Sequence, residues 1–461
     1  MKLRKSFKRS AAAATTAADK CRDRSLQTGR RYHLPLPTGP YPNLGYLDVL
    51  TGSGKQDGLL VRIIYPAADQ TTPTTDQWRQ WPNWSPHDNY KTGYLRAAQL
   101  PGPVARLVNH WSTDVFVPIV DSWEPLRESP FGQSFPVIIF SHGLLSCRTT
   151  YSSVCTEMAS HGFIVFAVEH RDQTAVASFY PSAGNTTNNK DNNNTETAAS
   201  ADGQSAAYEW VDYLPVKLYD NDLPVRNRQL DERVDDIRRT IRLIGDINNG
   251  NRVDNVFGRS PTPATDAVED SNLQALAGLL DTNNLILMGH SFGSSTTIRS
   301  LATDDLRDSI RLGVCLDAWM YPLQQPWTPS PGACSKPLIF INMERFQVQG
   351  QNLKMMKQYI GEDGQNTDDR RVHTVRQAKH TDQSDIPFVL NSGLLWLTGM
   401  RPMVDPFVTL DLTTGLALEF IADKLDIKLV NSKQYIIDRH RDLLMDGIDG
   451  KWWRQQQQQQ Q

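Results

Sequence analysis

The stretch from Pro136 to Val168 restricts what this chain can fold into more than any other part of it. Pro136 to Phe140 is a short apolar run without polar alternation, the pattern of a strand buried on both faces. Thr149 to Ser160 follows at helical length, and Phe163 to Val168 is a second apolar run. Parallel strands cannot be joined by a tight turn, so strand, helix and strand in this order make a βαβ unit. The chain is therefore expected to be α/β, with a mostly parallel central sheet and helices on both faces. Leu59 to Tyr65, Leu285 to Met288, Leu312 to Leu316, Pro337 to Asn342 and Arg371 to Val375 supply further strands. Between them Leu230, Val234, Ile237, Ile241 and Ile244 recur on one face of a helix running from Leu230 to Asp246.

At 461 residues and 39% hydrophobic, the chain can bury a large core. One catalytic-sized domain is expected at 35–425, between a basic arm (1–34) and an extension (426–461) that ends in polyglutamine. Met1 to Arg31 carries ten Lys or Arg against Asp19 and Asp23. This arm lacks the apolar core of a secretory signal, and Lys2 after Met1 excludes a myristoylation signal. It reads as disordered, with a mitochondrial presequence as the alternative. A net charge of −3 gives no drive toward nucleic acid. No window reaches the roughly 18 apolar residues of a membrane span. The five cysteines are scattered, as in a reducing compartment, so a cytoplasmic location is expected, with association with a membrane as an option. The Asn- and Thr-rich stretch 185–206 has too few apolar groups to offset its ordering entropy and reads as a disordered insertion. Leu95 to Trp111, interrupted by Pro101 and Pro103, reads as a packed helix or an interfacial segment.

Gly289-His290-Ser291-Phe292-Gly293 follows an apolar strand and precedes a helix-compatible run from Ser294 to Leu301. In that context Gly-x-Ser-x-Gly is a nucleophile elbow, whose glycines permit a tight, strained turn that lifts the serine hydroxyl above the sheet. A serine hydroxyl needs a base, and in such folds the partners follow in the order serine, acid, histidine. His373 falls inside an expected strand, and His440 in a charged helical stretch past the last sheet strand. His380 sits in a polar loop just after a strand, from which its ring can reach the elbow. Asp304, Asp305 and Asp308 belong to a solvated helix or connector, whereas Asp317 directly ends an apolar run. Ser291, Asp317 and His380 are therefore the candidate triad. The oxyanion needs backbone donors. Phe292 N–H and Leu144 N–H, the latter in the loop Ser141-His142-Gly143-Leu144, are the candidates, with His142 as a brace for that loop. Glu169, His170 and Asp172 crowd one strand end and read as a structural polar network. Neither a phosphate loop nor a spaced ligand set is present, so no cofactor and no metal is expected.

At these residues the chain resembles the platelet-activating factor acetylhydrolases of the plasma and intracellular type-II kind, members of the α/β-hydrolase superfamily. Ser141-His142-Gly143-Leu144, Ala159-Ser160-His161-Gly162-Phe163-Ile164-Val165, Ala167-Val168-Glu169-His170-Arg171-Asp172, the elbow, and Leu316-Asp317-Ala318-Trp319-Met320 carry the resemblance. Ser294 and Ser295 stand where that family has Gly-Ala. The resemblance implies an α/β-hydrolase fold and the same Ser291, Asp317, His380, Leu144 and Phe292 set. It further implies calcium-independent release of short or oxidised sn-2 acyl chains from phospholipids, and docking on lipid surfaces. A general carboxylesterase or long-chain lipase is the alternative activity. A hydrolase fold kept only as a binding module is the alternative class, usually marked by loss of a triad residue.

Overall fold

The apolar runs of the sequence become the middle of one ten-stranded sheet. The structure, a computed structural model, describes residues 32–69, 80–98, 114–181, 195–197, 207–217, 222–257, 272–324, 334–347, 350–360 and 366–448. The sheet strands are β1 (Leu44–Leu50), β2 (Leu60–Pro66), β3 (Val120–Asp121), β4 (Phe135–Ser141), β5 (Ile164–Glu169), β6 (Leu280–His290), β7 (Ile310–Leu316), β8 (Leu338–Met343), β9 (Arg370–Val375) and β10 (Leu444–Asp446). They lie in the order β10-β9-β8-β7-β6-β4-β5-β2-β1-β3. From β9 to β5 all neighbours are parallel, while β10 and β2 pair antiparallel at the two ends of that block.

The helices that matter below are α1 (Asp88–Ala97), α2 (Ser152–Ser160), α3 (Leu223–Asn248), α4 (Phe292–Leu301), α5 (Gly350–Ile360), α6 (Ser392–Leu397), α7 (Pro406–Leu425) and α8 (Gln434–Arg439). Strand side chains alternate between two faces. Val137, Ile139, Leu285 and Leu287 pack with Leu230, Val234, Ile237 and Ile244 of α3 and Ile298 of α4. Ile138, Phe140, Ile286 and Met288 pack with Val154 and Met158 of α2 and Leu412, Leu416 and Ile421 of α7. Each such aliphatic side chain contributes about 1.5–3 kcal/mol on burial, which is why both faces of these strands are apolar.

Several boundaries differ from expectation. Tyr32–His33, placed in the disordered arm, pairs with Val115–Phe116. Within the expected disordered insertion, Thr195–Thr197 pairs with Ala207–Asp212, which also pairs with Ala177–Pro181. Such pairing uses main-chain groups and does not need apolar side chains. The rest of 185–206, most of the basic arm, most of Leu95 to Trp111 and the polyglutamine lie outside the described residues. α1 ends at Ala97. At the other end, residues beyond Leu425 are part of the domain: α8 packs on α7, and β10 pairs with β9. His440 therefore lies before the last sheet strand, not after it. Among the described residues no helix is long and apolar enough to cross a membrane.

A buried ion cluster fastens this C-terminal segment. Lys433 Nζ lies 2.7 Å from Glu157 of α2 and 2.9 Å from Asp411 of α7. Glu157 also accepts the Thr38 N–H at 2.8 Å, tying in the N-terminal segment. Removing one partner leaves uncompensated buried charge. Lys433→Met is expected to lower unfolding stability by about 3–5 kcal/mol, read by urea denaturation; a change under about 1 kcal/mol would show that the cluster does not fasten the segment.

Candidate active site

Chain direction across the sheet reverses between β6 and β4, and the loops leaving the carboxyl ends of two such strands part to leave a crevice. Ser141 ends β4 and His290 ends β6, so the two loops singled out in the sequence meet there. Ser291 precedes α4 with φ 54° and ψ −113°, a conformation that costs a non-glycine residue about 1–3 kcal/mol. The flanking glycines are required by close approach. A Cβ on Gly293 would lie 1.9 Å from the Ser141 carbonyl oxygen, and one on Gly289 would lie 2.2 Å from that of Gly293. Ser294, absent from the usual pattern, puts its hydroxyl 2.8 Å from the Gly289 carbonyl and 3.0 Å from that of Leu316. The elbow is thus stitched to the end of β7.

Asp317 follows β7 with φ 42° and is fully buried. One carboxylate oxygen accepts from the Met343 N–H and Gln347 Nε2, each at 2.9 Å. The other accepts from His380 Nδ1 at 2.6 Å. That bond puts the proton on Nδ1 and leaves Nε2 as the basic nitrogen. His380 opens the 3₁₀ turn His380–Gln383 after β9, and Phe346 stacks on its ring at 3.8 Å. Among the described residues no hydrogen bond joins the Ser291 hydroxyl to His380, a contact that often tightens only in the Michaelis complex. His373, by contrast, is bound to Asp446 at 2.7 Å on the sheet edge.

His290 lies between the halves of the site. Its Nε2–H donates to the His380 carbonyl at 3.1 Å, and Tyr151 Oη donates to its Nδ1 at 2.8 Å. Burial, then the neighbouring His380, holds its pKa well below the usual range, so it stays neutral. Ligand-type atoms of His290, Asp317 and His380 lie within 4.8 Å of one another. Both His290 nitrogens and both Asp317 oxygens are already engaged in hydrogen bonds, an arrangement that fixes the His380 ring and leaves His290 no free lone pair for a metal.

The Ser141–Leu144 loop rests directly on the elbow. A Cβ on Gly143 would lie 3.2 Å from Ser291 Cβ, 3.1 Å from His290 Nδ1 and 2.9 Å from Tyr151 Oη. Leu145, at φ 59°, turns away and donates its N–H to Thr174. No acceptor for the Leu144 N–H is found among the described residues. Phe292 opens α4, where the first N–H groups have no intrahelical partner. Phe292 N–H is next to Ser291 in the chain, and the Leu144 N–H follows the Gly143 turn that lies against Ser291.

The chain matches the family described as platelet-activating factor acetylhydrolase, isoform II, over residues 26–442. It belongs to that family. A platelet-activating factor acetylhydrolase of Gallus gallus is 28% identical over 453 residues, 97% of this chain and 95% of the relative. One of Canis lupus familiaris is 29% identical over 401 residues, 87% and 79% of the two chains. A ferulic acid esterase structure from Streptomyces cinnamoneus superposes with a TM-score of 0.50 at 15% identity, covering 85% of this chain and 92% of that one. The fold is that of the α/β-hydrolases, and this acetylhydrolase-family chain is an enzyme that hydrolyses carboxylic esters.

Several supports of the acetylhydrolase-family site carry no local sequence signal: Tyr151, Phe346, Gln347 and Asp385 are distant in sequence from what they hold. Asp385, five residues past His380, is fully buried at the N-terminus of α2. It accepts from Ser152 N–H at 2.8 Å, Ser153 N–H at 3.0 Å and Trp84 Nε1 at 2.9 Å. This bolts the His380 loop to the helix that follows the Leu144 loop. Burial outweighs these donors and raises its pKa to about 7. A carboxyl raised above its unfolded value of 3.8 binds more protons when folded, so its contribution to stability is lost as pH rises through about 7. Wild-type stability is expected to fall by a few kcal/mol between about pH 4 and 7 from this group, and Asp385→Asn to flatten that slope. Urea unfolding across that range checks it; an unchanged slope in the variant would refute the assignment.

Proposed function

We propose that this chain removes short or oxidised sn-2 acyl groups from phospholipids such as platelet-activating factor, with Ser291 as nucleophile. The reading rests on the 2.6 Å Asp317–His380 bond beside the strained Ser291 elbow. The acetylhydrolase names of the chicken and dog relatives support the substrate class. His380 Nε2 takes the Ser291 proton as Oγ attacks the ester carbonyl, and Asp317 stabilises the imidazolium. The carbonyl oxygen becomes an oxyanion that accepts from Leu144 N–H and Phe292 N–H. His380 then returns the proton to the departing lysophospholipid. A water deprotonated by His380 cleaves the acyl-enzyme and releases the short acid. The chain's own N–H groups supply positive potential at the oxyanion. Phe292 packs edge-on to Trp319 at 5.5 Å and Trp319 stacks on Tyr321 at 5.7 Å. These rings pack in the core beside the elbow and hold Phe292 in place.

Access to lipid is supported by an apolar ledge on and after α6, where Trp396 is 71%, Leu397 58% and Met403 52% exposed. Lys379 Nζ holds the Gly399 carbonyl at 2.7 Å and Arg345 contacts Met403 Sδ at 3.4 Å, so the ledge adjoins the His380 turn. Cys147, Cys155, Cys315 and Cys334 are buried free thiols, which supports a reducing, cytoplasmic setting.

Ser291→Ala is expected to fold normally, to lose at least about 10³-fold in kcat and to escape organophosphonate labelling. Hydrolysis of a series of sn-2 acyl phospholipids should favour acetyl over palmitoyl. A preference for palmitoyl or for triglyceride would make the enzyme a lipase, and a wild-type chain that resists the probe would make it a binding module. Trp396→Ser with Leu397→Ser is expected to weaken binding to phosphatidylcholine vesicles about tenfold or more without changing turnover of a soluble acetyl ester. Unchanged vesicle binding would remove the ledge from the lipid-docking reading.

A further inference from the structure

We propose that Arg233 and His142 are positioning residues of the oxyanion hole, together aiming the Leu144 N–H and seating Phe292. The proposal rests on Leu144 and Phe292 being the oxyanion donors. Arg233 projects from α3 and is fully buried, with every nitrogen engaged. Its Nε donates to Asp172 at 2.8 Å and one terminal nitrogen to Thr174 Oγ1 at 2.6 Å. The other donates to the His142 carbonyl at 2.6 Å and lies 3.4 Å from Ser141 Oγ. The same guanidinium sits 4.5 Å from the centre of the Phe292 ring. One rigid, planar cation therefore touches both strand-end loops that carry the two donors.

His142 completes the arrangement. Its Nε2 accepts the His170 N–H at 3.1 Å, which leaves the ring proton on Nδ1. Nδ1–H donates to the Gly143 carbonyl at 2.8 Å. A trans peptide points its C=O and N–H in opposite directions. Pinning the Gly143 oxygen on the inner side therefore turns the Leu144 N–H outward, and a donor on the oxygen also polarises that N–H. Burial, Arg233 and His170 hold the His142 pKa well below the usual range, so the ring stays neutral and does not exchange roles. His170 is itself held between Ser141 Oγ and Asp236, each at 2.8 Å, so the brace has a second buried layer.

The roles of the two His142 nitrogens suggest a test in the full chain. The amide nitrogen of Asn occupies the place of Nδ1, whereas that of Gln occupies the place of Nε2. His142→Gln is expected to lower kcat on a soluble acetyl ester about 10²-fold, with KM within about twofold. Affinity for a trifluoromethyl ketone, whose serine adduct carries the oxyanion, should fall by the same factor as kcat/KM, and His142→Asn should recover most of both. If His142→Gln does not fold, Arg233→Lys, which keeps a cation but loses the fork, is read the same way. Wild-type kcat, or a fall in kcat without loss of ketone affinity, overturns the proposal. If instead Ser291→Ala keeps wild-type turnover, the catalytic reading beneath it has failed. A Ser291-dependent enzyme whose His142→Gln or Arg233→Lys variant keeps full ketone affinity sinks only the positioning roles.

Discussion

β4 and β6 end so close together that the backbone after one rests on the last carbonyl of the other. Gly293 meets the Ser141 oxygen at a separation where no side chain fits, and Gly143 meets Ser291 and His290 in turn. This mutual contact of two glycine turns determines the rest of the site. It brings the Ser141–Leu144 loop against the elbow, forces Ser291 into a left-handed conformation, and starts α4 immediately beneath it. The parallel sheet makes the contact possible, because both strands deliver their loops to the same edge at the point where strand order reverses.

Strain concentrated there is held by its surroundings. Ser291, Asp317 and Leu145 all have positive φ, each at a cost of about 1–3 kcal/mol. Around them lie buried ions: Arg233 with Asp172, Arg148 with Glu169 and Asp48, and Arg62 with Asp48. Desolvating such pairs offsets much of their attraction, so they add little net stability. What they supply is direction, since a guanidinium fork satisfies carbonyls and carboxylates in one geometry only. A core of aliphatic side chains holds the sheet together, while the ionic layer determines where its loops end.

That division explains what could be read from the sequence. β2 and β4 to β8 were legible because strands buried on both faces are written as apolar runs. The half-buried β9 buries only Val372, Thr374 and Val375 among polar residues. β1, interrupted by Gly45 and by an Asp48 neutralised by two arginines, carries no such run, and the three-residue edge strand β10 is too short for one. Ser291, Asp317 and His380 could be placed because each follows a strand end and their chain order is diagnostic. Their supports could not. Arg233 reaches the His142 carbonyl across 91 residues, and Asp385 reaches the Ser152 N–H across 233. Nothing in their local patterns distinguishes them from an ordinary helix arginine and a turn aspartate.

The two halves of the site also share supports. The Gly143 N–H donates to Tyr151 Oη at 3.3 Å, Tyr151 to His290, and His290 to the carbonyl of His380. Asp385 joins the same two regions from the other side, through the N-terminus of α2. The loop bearing the proposed base and the loop bearing a proposed oxyanion donor are thus held as one body, although 236 residues separate His380 from Leu144 in the chain. Acyl transfer needs proton removal and charge stabilisation at a single carbonyl within a few tenths of an ångström. In a ligand-binding crevice between two divergent loops that spacing would drift, and the Tyr151–His290 bridge is what restrains it.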